Sequence, residues 1–349
     1  MPRPQLLYGA YDKRPSDYGL DIISYAQREM EWGVKYVGNN PTRTDFYGID
    51  FDYAIVGGPS AVENSFDNVL LVVGKVRKKP VYVLGDSPGS VLRPGVKQYV
   101  DQAIAIVAVP SDTQHAKAFG YKDAVWLGYP PHWNNPVTVK PCMLAQERYH
   151  LGPRVFVCGI EHAQITDNML AAVLAGMEAR GGYWRVYFKP HSSEISATQD
   201  QDRRAKLLAH PRVSKLRTWE NIASIMMTMS LTVCTRGAPA LLDGALLRLP
   251  VVYYEDNMVM EYMKERPNED IWDPVVAGVC EPALSDTMPF MLKRLLDPGK
   301  IGGSVRKHLR WRQEAAFPQQ LAGMNTVAEI MTYIENPASY VPFHERAKC

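Results

Sequence analysis

Two stretches decide the fold of this chain: Trp184–Glu194, WRVYFKPHSSE, and Ser230–Tyr254, SLTVCTRGAPALLDGALLRLPVVYY. The first is an apolar run that ends in a Lys-Pro-His turn. The second is typical of a strand, a tight turn, a helix and a further strand. Ligands of α/β sheets bind beyond the carboxyl ends of the strands, and Lys189, His191 and Thr235 fall at such ends. These positions predict a nucleotide-binding site.

Strand and helix patterns alternate outward from these two stretches, on both sides of a proline-rich segment at residues 129–153. Such alternation indicates parallel, doubly wound sheets, and the proline-rich segment is typical of a linker. One run, VLLVVGKV at 69–76, fits either a helix or a strand. The sequence therefore predicts an α/β protein with two doubly wound halves. The predicted parts are residues 1–140, residues 141–320 and a tail at 321–349.

Composition is that of a soluble globular protein, with 46% hydrophobic and 22% charged residues among 349. The net charge of +2 is spread evenly, since residues 1–150 carry 16 Lys and Arg against 15 Asp and Glu. No large basic field indicates nucleic acid. The 5 cysteines are scattered without a CxxC pair, so neither disulfides nor a metal site is expected. Without a signal-peptide core or an apolar run of about 18 residues, we expect a cytoplasmic protein with no membrane span.

The basic-Pro-His turn, the strand-Thr-turn-helix and the following LPVVYY strand resemble the C-terminal domain of GT-B-fold transferases. The similar families are the bacterial sialyltransferases and the CDP-glycerol glycerophosphotransferases, and the likeness covers residues 154–257. It implies the GT-B fold, in which two Rossmann-like domains face a cleft and the tail at 321–349 returns toward the first domain. It also implies that His191 and Thr235 hold the nucleotide phosphates. Ser192 stands where these families have a second proline. Arg236 stands in the hydroxyl turn, where it can supply positive charge to a diphosphate.

A second likeness lies in the first half, where VYVLGDSPGS at 81–90 resembles the strand-Asp turn of the phage DNA β-glucosyltransferase. In that GT-B enzyme the turn carries the catalytic base, so the resemblance implies Asp86 as the catalytic base. The same letters also satisfy the nucleophile-elbow pattern G-x-S-x-G, which makes Ser87 an alternative hydrolase nucleophile. The proline and glycine that follow argue against the immediate helix that an elbow requires.

Inverting glycosyl transfer needs a base, a stabilised leaving diphosphate and the exclusion of water. Without a metal, cationic side chains and helix N-termini stabilise the diphosphate. The predicted donor-binding residues are Gly159, Lys189, His191, Thr235, Arg236, Asp243 and Glu255. Asp243 is expected to hydrogen-bond a ribose or sugar hydroxyl, and Glu255 to reach the donor sugar. Structural alternatives remain. Lys189 and His191 fit a proline turn, Thr235 fits a helix cap and Gly159 fits an ordinary turn after a strand. Asp243 and Glu255 fit solvated positions.

The predicted function is a metal-independent, inverting glycosyltransferase that uses a nucleotide sugar as co-substrate and no other cofactor. The acceptor is either a 5-hydroxymethyl pyrimidine in phage-type DNA or a cell-surface or capsular glycan. Two other classes fit the same pattern, a nucleotide-sugar epimerase of this fold and a two-domain solute-binding protein. No oligomeric state follows from the sequence.

Overall fold

The computed structural model describes residues 3–10, 13–38, 48–58, 66–85, 87–128, 152–191, 201–216, 225–235, 238–265, 273–317 and 325–346. Contacts divide the chain into two compact units. The first unit is Met1–Asn135 with Ala322–Cys349, and the second is Pro136–Leu321. Each unit is built around one six-stranded sheet in which all paired strands are parallel.

The first unit alternates strands with helices. Its elements are β1 (Gln5–Ala10), α1 (Lys13–Arg28), β2 (Gly33–Gly38), β3 (Tyr53–Gly57), α2 (Phe66–Arg77), β4 (Val81–Leu84), two 3₁₀ segments (Ser90–Leu92 and Pro94–Gln102), β5 (Ile104–Ile106), α3 (Asp112–Phe119) and β6 (Asp123–Val125). The strand order is β2-β1-β3-β4-β5-β6. Because β2 and β3 lie on opposite sides of β1, the chain reverses its direction of winding between β1 and β3.

The second unit repeats this plan with a different strand order. Its elements are β7 (Arg154–Cys158), α4 (Ala163–Arg180), β8 (Arg185–Lys189), α5 (Gln201–Leu208), β9 (Val213–Lys215), β10 (Leu231–Cys234), α6 (Pro239–Leu246), β11 (Val251–Tyr254), α7 (Asn257–Lys264), β12 (Glu281–Ala283), α8 (Met288–Leu296) and α9 (Lys300–Ala316). The order β12-β11-β10-β7-β8-β9 is the 3-2-1-4-5-6 order of dinucleotide-binding sheets. Here the reversal lies between β7 and β10. The central strands are apolar and buried on both faces, as helix-covered parallel sheets require.

Two C-terminal helices, α10 (Thr326–Glu335) and α11 (Phe343–Arg346), belong to the first unit. The buried side chains of α10 join the core formed by β1 and β4. The Tyr82 hydroxyl donates to the Ile334 carbonyl at 3.3 Å. The Glu329 carboxylate, 6% exposed, accepts from Arg346 at 2.9 and 3.0 Å and from the Tyr340 hydroxyl at 2.7 Å. This cluster fixes α11 and the chain before it to α10.

The prediction of two parallel, doubly wound sheets is confirmed. The ambiguous run at 69–76 is helical and lies within α2. Helix α4 begins at Ala163, because the His162 ring accepts a hydrogen bond from the Ile165 N–H and caps the helix. Helices α5 and α7 and strand β12 were not predicted. None of the described helices is long and apolar enough to cross a membrane.

We expect Ile330→Ala to destabilise the first unit by about 2–5 kcal/mol, because it removes a fully buried side chain from α10 and leaves a cavity. Urea unfolding followed by circular dichroism measures this loss. Val341→Ala, at a position that is 45% exposed, is the matched control. Equal stability of the two variants would mean that α10 contributes little to the core of this unit.

Candidate functional site

The carboxyl edge of the second sheet gathers most of the sequence-predicted donor residues. Gly159 directly follows β7, Lys189 ends β8, Thr235 follows β10 and Glu255 follows β11. Because β7 and β10 are neighbours in the sheet and the chain reverses there, Gly159 and Thr235 flank the switch point. A crevice at such a point is where doubly wound sheets bind ligands.

Gly159 lies in the turn that leads from β7 to α4, close to the end of β8. Its N–H donates to the Lys189 carbonyl at 2.9 Å. A Cβ atom at this position would lie 3.0 Å from Thr166 Cγ2 and 3.4 Å from the backbone nitrogen of His191. The Thr166 hydroxyl also accepts from the Ile160 N–H at 3.0 Å. Any side chain at Gly159 would therefore push the turn away from the start of α4.

Thr235 is fully buried, and its Oγ1 has no hydrogen-bond partner among the described residues. Helix α6 starts four residues later, and its N-cap residue, Ala238, offers no side-chain cap. A buried hydroxyl without a partner costs free energy unless a ligand satisfies it. An uncapped helix start beside that hydroxyl is suited to an anion. Both features lie at the carboxyl end of β10.

Lys189 is 8% exposed, and His191 is half-buried just beyond it. Each of these two residues makes a further interaction within the protein. The preceding residue, Phe188, packs under the Arg204 guanidinium, 5.4 Å from the ring centroid. Arg204 also forms an ion pair with the buried Asp167 of α4. These contacts hold the end of β8 against α4 and α5.

Asp243 lies on α6 and is only 4% exposed, so the solvated alternative considered from the sequence is wrong for this residue. Its charge contributes to the environment of Cys234 at the end of β10. Burial, with smaller effects from Cys158, Cys280 and Asp243, raises the pKa of the Cys234 thiol well above its usual range. This thiol therefore stays protonated near neutral pH and behaves as a small buried group.

Glu255 continues the edge beyond β11. Its N–H donates to the Ala283 carbonyl at 3.0 Å, and its Oε1 accepts from the Tyr253 hydroxyl at 3.4 Å. The carboxylate is partly exposed. It keeps acceptor capacity for a further donor such as a hydroxyl group.

Sequence reasoning missed the polar network around Asp256. Its Oδ1 accepts from the Val259 N–H at 2.8 Å and so caps α7. Its Oδ2 accepts from the Tyr254 hydroxyl at 2.8 Å and from Asn168 Nδ2 at 3.2 Å. The Tyr254 hydroxyl also lies 2.8 Å from Ser285 Oγ, and burial raises the Tyr254 pKa to about 12. An aspartate before a helical run is an N-cap signal that could have revealed α7.

Two predicted residues, Asp86 and Arg236, lie outside the described residues. Across the described ranges, no group of three or more His, Cys, Asp or Glu side chains is arranged to hold a metal ion. The structure therefore brings Gly159, Lys189 and His191 together at one end of β7 and β8. Thr235 and Glu255 lie on the neighbouring strand ends of the same edge.

The turn after β4 in the first unit rests on a buried carboxylate. Asp112, 1% exposed, accepts from the Gly89 N–H through Oδ2 at 2.7 Å. Its Oδ1 has no partner in the part of the chain that the structure describes. Burial raises the pKa of Asp112 to about 6, opposed by the Gly89 hydrogen bond and the nearby His115. Sequence analysis did not single out this residue.

Ser87, the alternative hydrolase nucleophile, lies in the same turn. Ser90 Oγ donates to the Ser87 carbonyl at 2.7 Å and accepts from the Ser87 N–H at 3.2 Å. The chain continues into 3₁₀ segments instead of an α-helix. The described residues after Ser87 thus lack the helix that a nucleophile elbow needs.

The chain matches no known family model and no curated protein sequence. Solved structures do match over nearly the whole chain. S. aureus MnaA bound to UDP has a TM-score of 0.69 at 11% identity and covers 97% of this chain and 98% of its own. UDP-GlcNAc 2-epimerase from Neisseria meningitidis bound to UDP-GlcNAc has a TM-score of 0.57 at 12% identity, with coverages of 95% and 100%. The glycotransferase of kitacinnamycin has a TM-score of 0.56 at 13% identity, with coverages of 96% and 99%.

These likenesses show the fold: the chain has the two-domain, Rossmann-like GT-B fold that glycosyltransferases and nucleotide-sugar epimerases share. At such identities they show the fold alone. The sequence resemblance to sialyltransferases and CDP-glycerol glycerophosphotransferases stays a prediction.

We expect the stability of the first unit to fall as pH rises, because folding raises the Asp112 pKa from 3.8 to about 6. The folded state holds this proton more tightly, so unfolding free energy decreases between these two pH values and stays lower above them. The decrease is about 3 kcal/mol for a shift of this size. Asp112→Asn keeps an acceptor for Gly89 and removes the charge, so its stability relative to wild type should increase from pH 4.5 to pH 7.5.

Urea unfolding at the two pH values measures this difference. Asp101→Asn is the matched control: a hydrogen bond from Lys75 lowers the Asp101 pKa below 3.8, so this carboxylate is ionised in both states over this pH range and its variant's stability relative to wild type should stay nearly constant. An Asp112→Asn difference that does not change with pH would show that this carboxylate is not buried as described.

Proposed function

We propose that this chain is a glycosyltransferase that binds a nucleotide-sugar donor at the β7–β10 switch point of its second unit. The observation that carries the proposal is the Thr235 hydroxyl, buried and unpartnered among the described residues, beside the uncapped start of α6. A donor diphosphate supplies the acceptor oxygen that this hydroxyl needs, and the positive end of the α6 dipole favours its negative charge.

The surrounding residues support a diphosphate at this position. Gly159 lies at the carboxyl end of β7, beside the end of β8 and the start of α4. Lys189 and His191, one strand further, supply positive charge to the leaving group, and Arg236 does so from the turn after β10. Asp243 and Glu255 are acceptors for ribose or sugar hydroxyls.

In the proposed reaction a base removes the proton from an acceptor hydroxyl as its oxygen attacks the anomeric carbon. The bond from that carbon to the diphosphate oxygen breaks, and the negative charge that develops there is stabilised by the cations and the α6 helix dipole of the donor site. Asp86 of the first unit is the proposed base. The reaction needs no metal and no cofactor besides the donor. The proposed acceptors are a hydroxymethyl pyrimidine of DNA and a cell-surface or capsular glycan.

A second candidate is a nucleotide-sugar epimerase using the same donor site. It is favoured by one specific observation, the similarity to UDP-GlcNAc 2-epimerase bound to UDP-GlcNAc. UDP is also bound in S. aureus MnaA. We therefore give UDP-sugars priority as donors to be tested.

Thr235→Val replaces the unpartnered hydroxyl by a methyl group of nearly the same size. We expect the free protein to be as stable as wild type or more so, because no protein hydrogen bond is lost. Nucleotide affinity should fall by roughly 10- to 100-fold, the effect of losing a hydrogen bond to a charged group. Thermal shift and calorimetric titration with UDP, GDP, CDP, CMP and their sugar conjugates measure both effects.

Thr232→Val is the matched control, since Thr232 is equally buried and its Oγ1 also lacks a partner within the described ranges, but it lies inside β10. It should leave nucleotide affinity unchanged. Equal binding by wild type and Thr235→Val, or equal loss in both variants, would place the nucleotide elsewhere.

Turnover separates the two candidate functions once a nucleotide sugar is found to bind. We expect the donor sugar to keep its stereochemistry without an acceptor, and transfer to a hydroxymethylated DNA or glycan acceptor to persist after EDTA treatment. Proton NMR of the sugar reports its stereochemistry, and chromatography measures transfer to the acceptor. Interconversion of the sugar without an acceptor would identify the epimerase, and loss of transfer with EDTA would overturn the metal-independent mechanism.

A further inference from the structure

Positive charge is concentrated in the last two helices of the second unit. Residues 288–316, which include α8 and α9, contain seven Lys and Arg and two Asp and Glu. This segment carries +5 while the whole chain carries +2, so the rest of the chain has a net charge of −3. The even balance between the halves of the sequence conceals this local excess.

The charged residues of this segment divide into an internal and an external set. Arg306 donates to the carbonyls of Leu295 and Asp297 at 2.7 Å and thereby caps α8. Arg312 pairs with Glu281, and Glu314 pairs with Arg248 at 3.3 Å. The external set is exposed and makes no ion pair or hydrogen bond with other described residues. Its members are Lys293, Arg294, Lys300, Lys307 and Arg310.

Large apolar side chains are exposed on the same two helices. Ile301 is 73% exposed and Trp311 is 62% exposed on α9, and Phe290 is 66% exposed on α8. At about 100° per residue, Ile301 and Trp311 lie within an arc of about 80° on α9. His308 lies between them and stacks on Trp311, with ring centroids 5.9 Å apart.

The opposite face of α9 is anchored to the protein. Leu309 and Gln313 are buried, and Gln313 Nε2 donates to the carbonyls of Leu249 at 2.9 Å and Val279 at 3.0 Å. The helix therefore cannot turn its apolar stripe inward. Its outer face presents Ile301 and Trp311 next to the row of Lys300, Lys307 and Arg310.

From this geometry we infer that the outer face of α9 docks on the surface of a bilayer that contains anionic lipids. Tryptophan is favoured at the boundary between head groups and acyl chains, and an exposed isoleucine gains by entering it. Unpaired lysines and arginines beside them are attracted to anionic head groups. Such a helix lies on the membrane and does not cross it.

A nucleic acid fits this face less well. Its phosphates would pair with the cations, but an aliphatic side chain such as Ile301 has no partner on a charged backbone. The apolar stripe and the cationic row together match a lipid surface, which offers both acyl chains and negative charge. This inference does not depend on the proposed donor site.

The test measures co-sedimentation of the full chain with vesicles of phosphatidylcholine, alone or mixed with phosphatidylglycerol. We expect binding only to the mixed vesicles, and its loss at about 1 M salt, where the Debye length is about 3 Å. The triple variant K300Q/K307Q/R310Q should bind on the order of 100-fold more weakly. The matched control K35Q/K206Q/K215Q removes the same charge from exposed positions elsewhere and should bind like wild type.

The apolar stripe is tested by Trp311→Ser, with Val276→Ser at another exposed position as its control. Only the first should weaken vesicle binding, by roughly 10-fold or more. Absence of binding to mixed vesicles at low salt would overturn the inference, as would equal losses in a variant and its control. A duplex DNA oligonucleotide bound through Lys300, Lys307 and Arg310, without vesicle binding, would assign the face to nucleic acid instead.

Discussion

All six strands of the second sheet run in one direction, so the loops that follow the strands all begin at the same edge of the sheet. The order β12-β11-β10-β7-β8-β9 places the first strand of the unit in the middle, with the chain winding outward on both sides. Loops after β7 and β10 must therefore diverge, and a crevice opens between them. The position of the candidate donor site follows from this topology before any side chain is considered.

Local chemistry at that edge is costly without a ligand. Thr235 keeps a buried hydroxyl without a described partner. Gly159 has no side chain to pack, and its turn is so close that even a Cβ atom would be crowded. Such costs are typical of functional sites, because elsewhere a sequence avoids them. By contrast, the Asp256 network satisfies its groups internally and serves to hold α7 and the end of β11 in place.

The fold was largely predictable because strands such as VVYY and RVFVC are apolar runs separated by turn residues, and helices alternate with them. The residues at the carboxyl edge of the second sheet, including Lys189 and Thr235, were predictable for the same reason, because each lies at the end of a recognisable strand. Burial was not predictable, since nothing in the sequence distinguishes Asp243 facing the sheet from a solvated aspartate. The contacts of Asp112 and the Arg204–Asp167 ion pair could not be predicted, because the partners are distant in sequence. Helix α5 could not be predicted because it is too polar to show a periodic apolar face.

The distribution of charge over the surface could not be predicted from the sequence either. Net charge counted over half the chain averages helices with opposite roles, and so it misses α9, where structural cations face inward and unpaired cations face outward. Arg312 and Lys307 differ because they lie on different faces of α9. The hydrogen bonds of Gln313 hold its own face against the protein and so decide which side chains point outward. A surface helix needs only one anchored face to fold. Exposed Ile301 and Trp311 take no part in that anchoring, and the proposed docking on a lipid surface gives both side chains a role.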